Sequence, residues 1–485
     1  MTTARALTNL IALVSTLLLA RILTPGDFGL VALAGTMLSV VSAVTEMSLA
    51  SALIHHPEPT DDHFHTAWTL NLVRAAFVGL AFCAAAFPVA EAYDDPRLRS
   101  VMIVMGLMTL LNGASNPKLV LFQRRLQFRQ DVALNVSSKL AGLIAALGVA
   151  FIYRSYWALV VGSIATQIVY ILMSYWFMPY RPRPTWRHGR ELWTFSIWLT
   201  LSQTVNQLNW KSDYLLIGTF LGRVPLGVYT VGDNLAGIAT REATAPLTQT
   251  LFPAFTRLRD EPDRLRHAYR AAQSLVTAAA LPTAVGCALL AELLVRLTIG
   301  EKWLQAVIVI EVLSCVFGVQ TLGSVVQPLA LALGKTKAMF RRDVANLVIR
   351  LPTIVLGLYL GGLPGIVYAR ALTSGVAIVI NMHLVRTFIG VPIRQQIAAN
   401  WRALASVGAM TVVVWVLRDA VGTTGSTTRM LGVLVLLAAA GAAVYGTTTW
   451  MLWALAGRPD GPERQVARIL TQLADKARAF RRPAA

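Results

Sequence analysis

Charge is what this chain has least of. Only 14% of its 485 residues are Asp, Glu, Lys or Arg, against roughly a quarter in soluble domains. More than half, 55%, are hydrophobic, and the mean hydropathy is +0.58. These values exclude a soluble globular protein and indicate a polytopic membrane protein. Cysteine is scarce too. Cys83, Cys287 and Cys315 each stand alone in an apolar segment, which excludes a disulfide framework and a Cys-based zinc site. No Ser/His/Asp constellation, Gly-rich phosphate loop or paired catalytic carboxylates can be found, so the reading is of a non-enzyme without a cofactor. Acidic residues are also few, and the net charge is +19. That excess raises nucleic acid as a partner, but its distribution along the chain excludes it.

What is present is a series of apolar runs of spanning length. About fourteen are predicted, from residues 4–22 and 28–54 through 191–221, 225–254, 343–361 and 363–385 to 430–456. The first run has no small-residue cleavage pattern after it and is kept as a membrane helix. Of the 43 Lys and Arg, 28 fall in loops on one side, 8 on the other and 7 within spans. By the positive-inside bias both termini are cytoplasmic. In the tail (458–485), Val466, Ile469, Leu470, Leu473, Ala477 and Phe480 form an apolar stripe opposite Arg and Lys, suited to a helix on anionic lipids.

The organising stretch is the hairpin Glu191 to Arg257, turning at Leu221-Gly222-Arg223-Val224-Pro225. In its first helix Gln203, Asn206, Gln207, Trp210 and Tyr214 share a face, flanked by Lys211 and Asp213. In its second, Asp233, Gly237, Thr240, Arg241, Thr244 and Thr248 share one. Lys211 and Asp233 lie at matching depths, roughly 12–15 Å below the surface, and are expected to pair. Ionisable groups at such depth normally face a bundle interior or a wet cavity.

The chain also repeats. Asp131-Val132-Ala133-Leu134-Asn135 followed by Lys139-Leu140 is matched by Asp343-Val344-Ala345-Asn346 followed by Arg350-Leu351. More loosely, Pro25-Gly26-Asp27-Phe28-Gly29-Leu30-Val31 is matched by Arg223-Val224-Pro225-Leu226-Gly227-Val228-Tyr229. An offset of six helices keeps orientation, so the halves are parallel repeats. The expected organisation is an N-lobe at 1–180, a C-lobe at 181–390, two appended helices at 391–457 and the basic tail.

The stretch Ala20-Arg21-Ile22-Leu23-Thr24-Pro25-Gly26-Asp27-Phe28-Gly29-Leu30-Val31-Ala32 resembles the opening of Wzx-type polysaccharide flippases, of the multidrug/oligosaccharidyl-lipid/polysaccharide exporter superfamily. Trp68-Thr69-Leu70-Asn71-Leu72 and Phe122-Gln123-Arg124-Arg125-Leu126-Gln127-Phe128 continue the pattern, which holds to about residue 400. The resemblance implies a two-lobed bundle with a central cavity. It would move an oligosaccharide on undecaprenyl pyrophosphate by alternating access, for surface polysaccharide synthesis. A polysaccharide polymerase and glycosyltransferases are the implied protein partners, and a monomer is favoured.

The expected site residues are the cations inside spans. Arg241 and Lys211 lie deepest. Arg74, Lys139 and Arg350 lie near the cytoplasmic edge and Arg370 near the outer one, so all four have snorkelling as their plain alternative. Arg296, beside Glu292, reads as interfacial. Gln203, Asn206, Gln207, Asp213, Asp233, Thr240 and Thr244 are the expected polar lining, and Glu46 a gate carboxylate at the depth of Arg241. His55, His56, Glu58, Asp61, Asp62, His63 and His65 have zinc-ligand chemistry but no fixing geometry and read as a solvated loop. A cation antiporter of the same superfamily is the rival reading, but it needs carboxylates in excess of cations. A membrane glycan ligase would need a large outer loop, and none is predicted.

Overall fold

The computed structural model describes residues 2–46, 49, 53, 59–124, 128–423, 425–458, 461 and 463. Side chains at 2–6, 123, 124, 128, 190–200, 202, 239, 241–243 and 245–249 lie outside this description. Among the described residues every regular element is a helix. The principal ones are α1 (Thr2–Ile22), α2 (Pro25–Thr45), α3 (Asp61–Ala92), α4 (Pro96–Gly113), α5 (Phe128–Tyr153), α6 (Trp157–Phe177) and α7 (Gly189–Leu216). They continue with α8 (Arg223–Arg257), α9 (Pro262–Leu289), α10 (Ala306–Ser324), α11 (Thr336–Ile389), α12 (Trp401–Val421) and α13 (Thr427–Leu455).

Nine helices among the described residues are long and apolar enough to cross a membrane. The protein is an all-α polytopic membrane protein. One of the nine, α11, has 54 residues, about 80 Å of helix against a hydrocarbon core of about 30 Å. It breaks at Gly361–Gly362, where Gly362 has φ 57°, a conformation that costs glycine little and other residues much. The break falls between the two expected runs 343–361 and 363–385. At the other end of the chain the expectation fails. The run predicted at 28–54 is not one helix: α2 stops at Thr45, and Glu46 is its extended C-cap with φ −63° and ψ 126°. Hydropathy alone misses this, because nothing apolar changes at the break.

The chain forms two compact units. The first comprises Met1–Gly232, Thr298–Ala306 and Asp343–Ala369, and the second Asp233–Leu297, Val307–Arg342 and Arg370–Ala485. The stretch expected as the N-lobe lies wholly in the first unit, whereas 181–390 is shared between the two.

In the first unit the Thr24-Pro25-Gly26-Asp27 stretch is a helix start built from its own side chains. Thr24 Oγ1 accepts from the Asp27 backbone N–H at 3.3 Å, while Asp27 Oδ2 accepts from the Thr24 N–H at 3.0 Å, a reciprocal capping box with Pro25 in the first turn. The segment Glu301–Trp303 closes the end of α1. Lys302 Nζ donates to the carbonyls of Arg21 and Leu23, at 2.9 and 2.7 Å, and the buried Trp303 Nε1 donates to Ala20 O at 2.8 Å. Those are carbonyls a helix C-terminus leaves unpaired. Burial lowers the Lys302 pKa from its ordinary value, and the nearby Asp27 charge offsets part of this. Phe28 packs edge-on against Trp303, with ring centroids 5.4 Å apart.

Against the same end lies the start of α8. The backbones meet at two glycines that hold matching places in the repeat. A Cβ on Gly29 would strike the Arg223 carbonyl, and one on Gly227 would strike the Pro25 carbonyl. Each helix start therefore presents its glycine to the other's first turn, and Arg223 adds an ion pair to Asp95.

The second unit packs α9, α12 and α13 through Leu281, Leu293, Val407, Met410, Val414 and Leu437. Glu292 accepts from Arg296 at 3.1 Å and from Arg418 at 2.7 Å.

Gly29→Val or Gly227→Val should destabilise the purified protein by about 1–3 kcal/mol, as overpacking does, read as a fall in detergent melting temperature. Gly35→Val, where a Cβ meets nothing within 4 Å, should leave it nearly unchanged. Equal melting of all three would refute the close approach.

Candidate functional site

Two carboxylates stand inside the bundle, and each is held by an arginine of α11. In the first unit Asp213 of α7 is 0% exposed. Its carboxylate accepts from Arg350 Nε at 3.2 Å and Nη2 at 2.6 Å, a two-pronged contact, and from the Tyr229 hydroxyl at 2.7 Å. Tyr229, itself fully buried, packs edge-on against Tyr214 at 5.2 Å between centroids. In the second unit Asp233 of α8 accepts from Arg370 Nη1 at 2.8 Å. Arg370 is 1% exposed and lies over the Phe317 ring, 5.2 Å from its centroid. Both pairs span the same sequence distance, 137 residues.

These contacts correct the expectation for the α11 arginines. Neither snorkels. Arg370 does not reach outward, and Arg350 turns its guanidinium onto Asp213 instead of toward the headgroups. The sequence contained a usable signal, since Asp233 lies as far past Pro225 as Arg370 lies past Gly362. The depth comparison that linked Lys211 with Asp233 had not been extended to α11. Tyr229 was missed as well, because a tyrosine in an apolar run looks like packing.

The other expected residues are more scattered. Lys211 is half-buried, with Nζ 4.5 Å from the centroid of the Tyr214 ring. Arg74 donates to Asn71 Oδ1 at 3.2 Å and is within electrostatic reach of Glu46. Glu46, the C-cap of α2, is exposed. Lys139 and Gln203 are exposed, and Asn206 and Gln207 partly buried. On α8, Thr244 Oγ1 donates to Thr240 O at 3.0 Å, while the buried Thr240 hydroxyl has no hydrogen-bond partner among the described residues. Arg241 is on α8, but its side chain lies outside the described residues, as does the tail stripe from Val466 to Phe480.

His55, His56 and Glu58 also lie outside them. The other four are not the solvated loop expected: Asp61, Asp62, His63 and His65 form the first turns of α3 and engage protein groups. Asp61 pairs with Lys118 at 2.7 Å and Asp62 with Arg187 at 3.0 Å. His63 stacks on His188 at 3.7 Å, and His65 Nδ1 shares a hydrogen bond with the Tyr180 hydroxyl at 2.8 Å. Burial raises the Tyr180 pKa, with the charge of Asp61 adding to it.

The family model described as "Polysaccharide biosynthesis protein" matches residues 18–308, a stretch that contains the Thr24 capping box, Asp213 and Asp233. The chain belongs to this family. Among similar proteins, the lipopolysaccharide biosynthesis protein WzxC of Escherichia coli is 23% identical over 404 residues, covering 81% of this chain and 80% of that protein. The succinoglycan biosynthesis transport protein ExoT of Rhizobium meliloti is 25% identical over 325 residues, 67% of this chain and 66% of that protein. Among solved structures, the lipid II flippase MurJ in its inward closed conformation superposes with a TM-score of 0.73 at 12% identity, covering 94% of this chain and 99% of MurJ. An inward-facing multidrug resistance transporter of the MOP superfamily gives 0.54 at 12% identity, over 80% and 95%. These two likenesses show that the chain shares their fold.

Removing one partner of a buried ion pair strands the other, typically costing about 3–5 kcal/mol. Arg350→Ala and Asp213→Ala should each lower the melting temperature sharply, and the double variant by less than the two together. Additive losses would mean the pair contributes no coupling. Lys139→Ala, at an exposed position, is the neutral control.

Proposed function

We propose that this chain is a flippase that carries a lipid-linked oligosaccharide across the bacterial inner membrane by alternating access, supplying surface polysaccharide synthesis. The observation that carries the reading is the state of the deep carboxylates. Asp213 and Asp233 are the acidic groups a cation antiporter would offer to its ion, and both already hold a guanidinium. With those negative charges matched, the remaining basic groups of the helices suit an anionic cargo. The names of the relatives, in lipopolysaccharide and succinoglycan synthesis, support the same class.

A pyrophosphate between polyprenol and sugar must cross a low-dielectric core, so fixed positive charge has to replace part of its hydration. Arg241 is the cation we assign to it, because a guanidinium can grip phosphate oxygens bidentately. Lys211, Arg74 and Lys139 are further candidates. Gln203, Asn206 and Gln207 suit sugar hydroxyls. Arg350 and Arg370 serve as fixed partners of the carboxylates in this reading. The parallel repeats, fourteen spans and cytoplasmic termini complete the proposed topology.

Arg241→Ala should abolish flipping in an otherwise inserted and folded protein. Lipid-linked oligosaccharide should then accumulate on the cytoplasmic leaflet, measured by leaflet-selective labelling. Arg241→Lys should recover only part of the transport. Normal transport by the alanine variant would remove Arg241 from the site.

Topology is open to a separate check. Cysteines placed at Asp260 and Thr336 should react with an impermeant reagent only from the cytoplasm, and one at Thr423 only from outside. The reverse pattern would invert the orientation.

A further inference from the structure

In the second unit a cavity of about 260 Å³ opens between α9, α12 and α13. Its walls are largely apolar, from Leu275, Ala278, Ala279 and Ala403. One corner differs. Arg402 and Glu463 are each 8% exposed and pair there through Arg402 Nε and Glu463 Oε1 at 3.3 Å, and Asn400 beside them is 1% exposed. That single contact leaves buried atoms unused. Arg402 Nη1, Glu463 Oε2 and Asn400 Oδ1 have no hydrogen-bond partner among the described residues. Buried polar atoms are normally satisfied, and leaving a charged one unsatisfied is costly. The corner therefore lacks a group that accepts from a guanidinium and another that donates to a carboxylate and an amide oxygen.

The cavity's size and position restrict the ligand. It falls just below the usual range of small-molecule sites, about 300–1,000 Å³, so it admits part of an amphiphile and not a whole oligosaccharide cargo. Trp401 at the start of α12 and Trp450 in the last turns of α13 are both about half exposed. Half-exposed tryptophans at helix ends mark the membrane–water boundary. A headgroup at that level would meet the polar corner while its chain met the apolar wall.

We propose that this cavity binds an aminophospholipid of the phosphatidylethanolamine class, in the leaflet that the proposed topology assigns to the cytoplasm. Its phosphate accepts from Arg402 Nη1, and its ammonium donates to Glu463 Oε2 and Asn400 Oδ1. The charge order of the headgroup matches that of the protein, anion to cation and cation to anion. A phosphatidylglycerol headgroup satisfies the arginine but brings no cation for Glu463. Nothing in this assignment depends on which cargo the protein carries.

The test is native mass spectrometry of the full chain, delipidated in detergent and then titrated with phosphatidylethanolamine or phosphatidylglycerol. Wild-type protein should retain one phosphatidylethanolamine in preference to phosphatidylglycerol. Arg402→Ala should weaken that retention about tenfold or more, the scale of losing a hydrogen bond to a charged group. Glu463→Gln should erase the preference between the two lipids. Because Arg402→Ala removes a buried charge and can fail to fold, Gly446→Leu gives an independent reading. A Cβ at Gly446, on the cavity wall, meets nothing within 4 Å, so a larger side chain starts in open space and should also expel the lipid. Equal retention of both lipids by wild type, or unchanged retention in Gly446→Leu, would overturn the site. Displacement of the bound lipid by equimolar undecaprenyl phosphate would also overturn it, by giving the cavity to the carrier lipid instead.

Discussion

A charge inside a bilayer has to bring its partner with it, and in this chain that constraint falls on one helix. α11 supplies Arg350 to Asp213 in the first unit and Arg370 to Asp233 in the second. Without those arginines two carboxylates would be stranded where water cannot reach them, and the polar hairpin α7–α8 would have no stable place. The break at Gly361–Gly362 follows from the same requirement. α11 must make two passes, so its arginines lie on separate arms and can reach helices that are themselves separated by a turn.

Backbone groups obey the constraint as strictly as charges. The last carbonyls of α1 have no helical N–H donors left to serve them, and Lys302 and Trp303 supply donors from a segment about 280 residues away in sequence. Thr24 and Asp27 then restart the chain as α2 within two residues. The sequence motif by which the chain resembles polysaccharide flippases is thus a pair of helix ends, one capped from outside and the other by its own side chains. Gly29 has a related purpose, since it allows the backbones to touch.

Class and fold were legible in the sequence because they depend on sums over many residues. Mean hydropathy and scarcity of charge give a membrane bundle, and Thr24-Pro25-Gly26-Asp27 gives the family. The kink of α11 was legible too, since Gly361-Gly362 interrupts an apolar run with the residue type that tolerates positive φ. Individual partners were much less legible. A depth comparison confined to one hairpin sets Lys211 against Asp233, and it leaves Arg370 as a cavity cation with snorkelling as its alternative and no partner named. Glu46 shows the opposite failure. Its neighbours are apolar enough to continue a span, and only the backbone turn after Thr45 puts it at a helix end. The repeat carried more information than it yielded at first: Gly29 and Gly227 occupy matching places in the loose match, and it is these two glycines that meet.

The choice of arginine over lysine at both pairs limits how transport can be driven. A lysine buried beside a carboxylate can hand over its proton when desolvation becomes severe, and the pair then becomes neutral. A guanidinium does not lose its proton at any pH a cell encounters. Each carboxylate is already engaged: Arg350 and the Tyr229 hydroxyl hold Asp213, and Arg370 holds Asp233. A cycle that offered either carboxylate to a proton or a metal ion would first have to break these contacts. A carrier whose carboxylates are unpaired at rest has no such step to take.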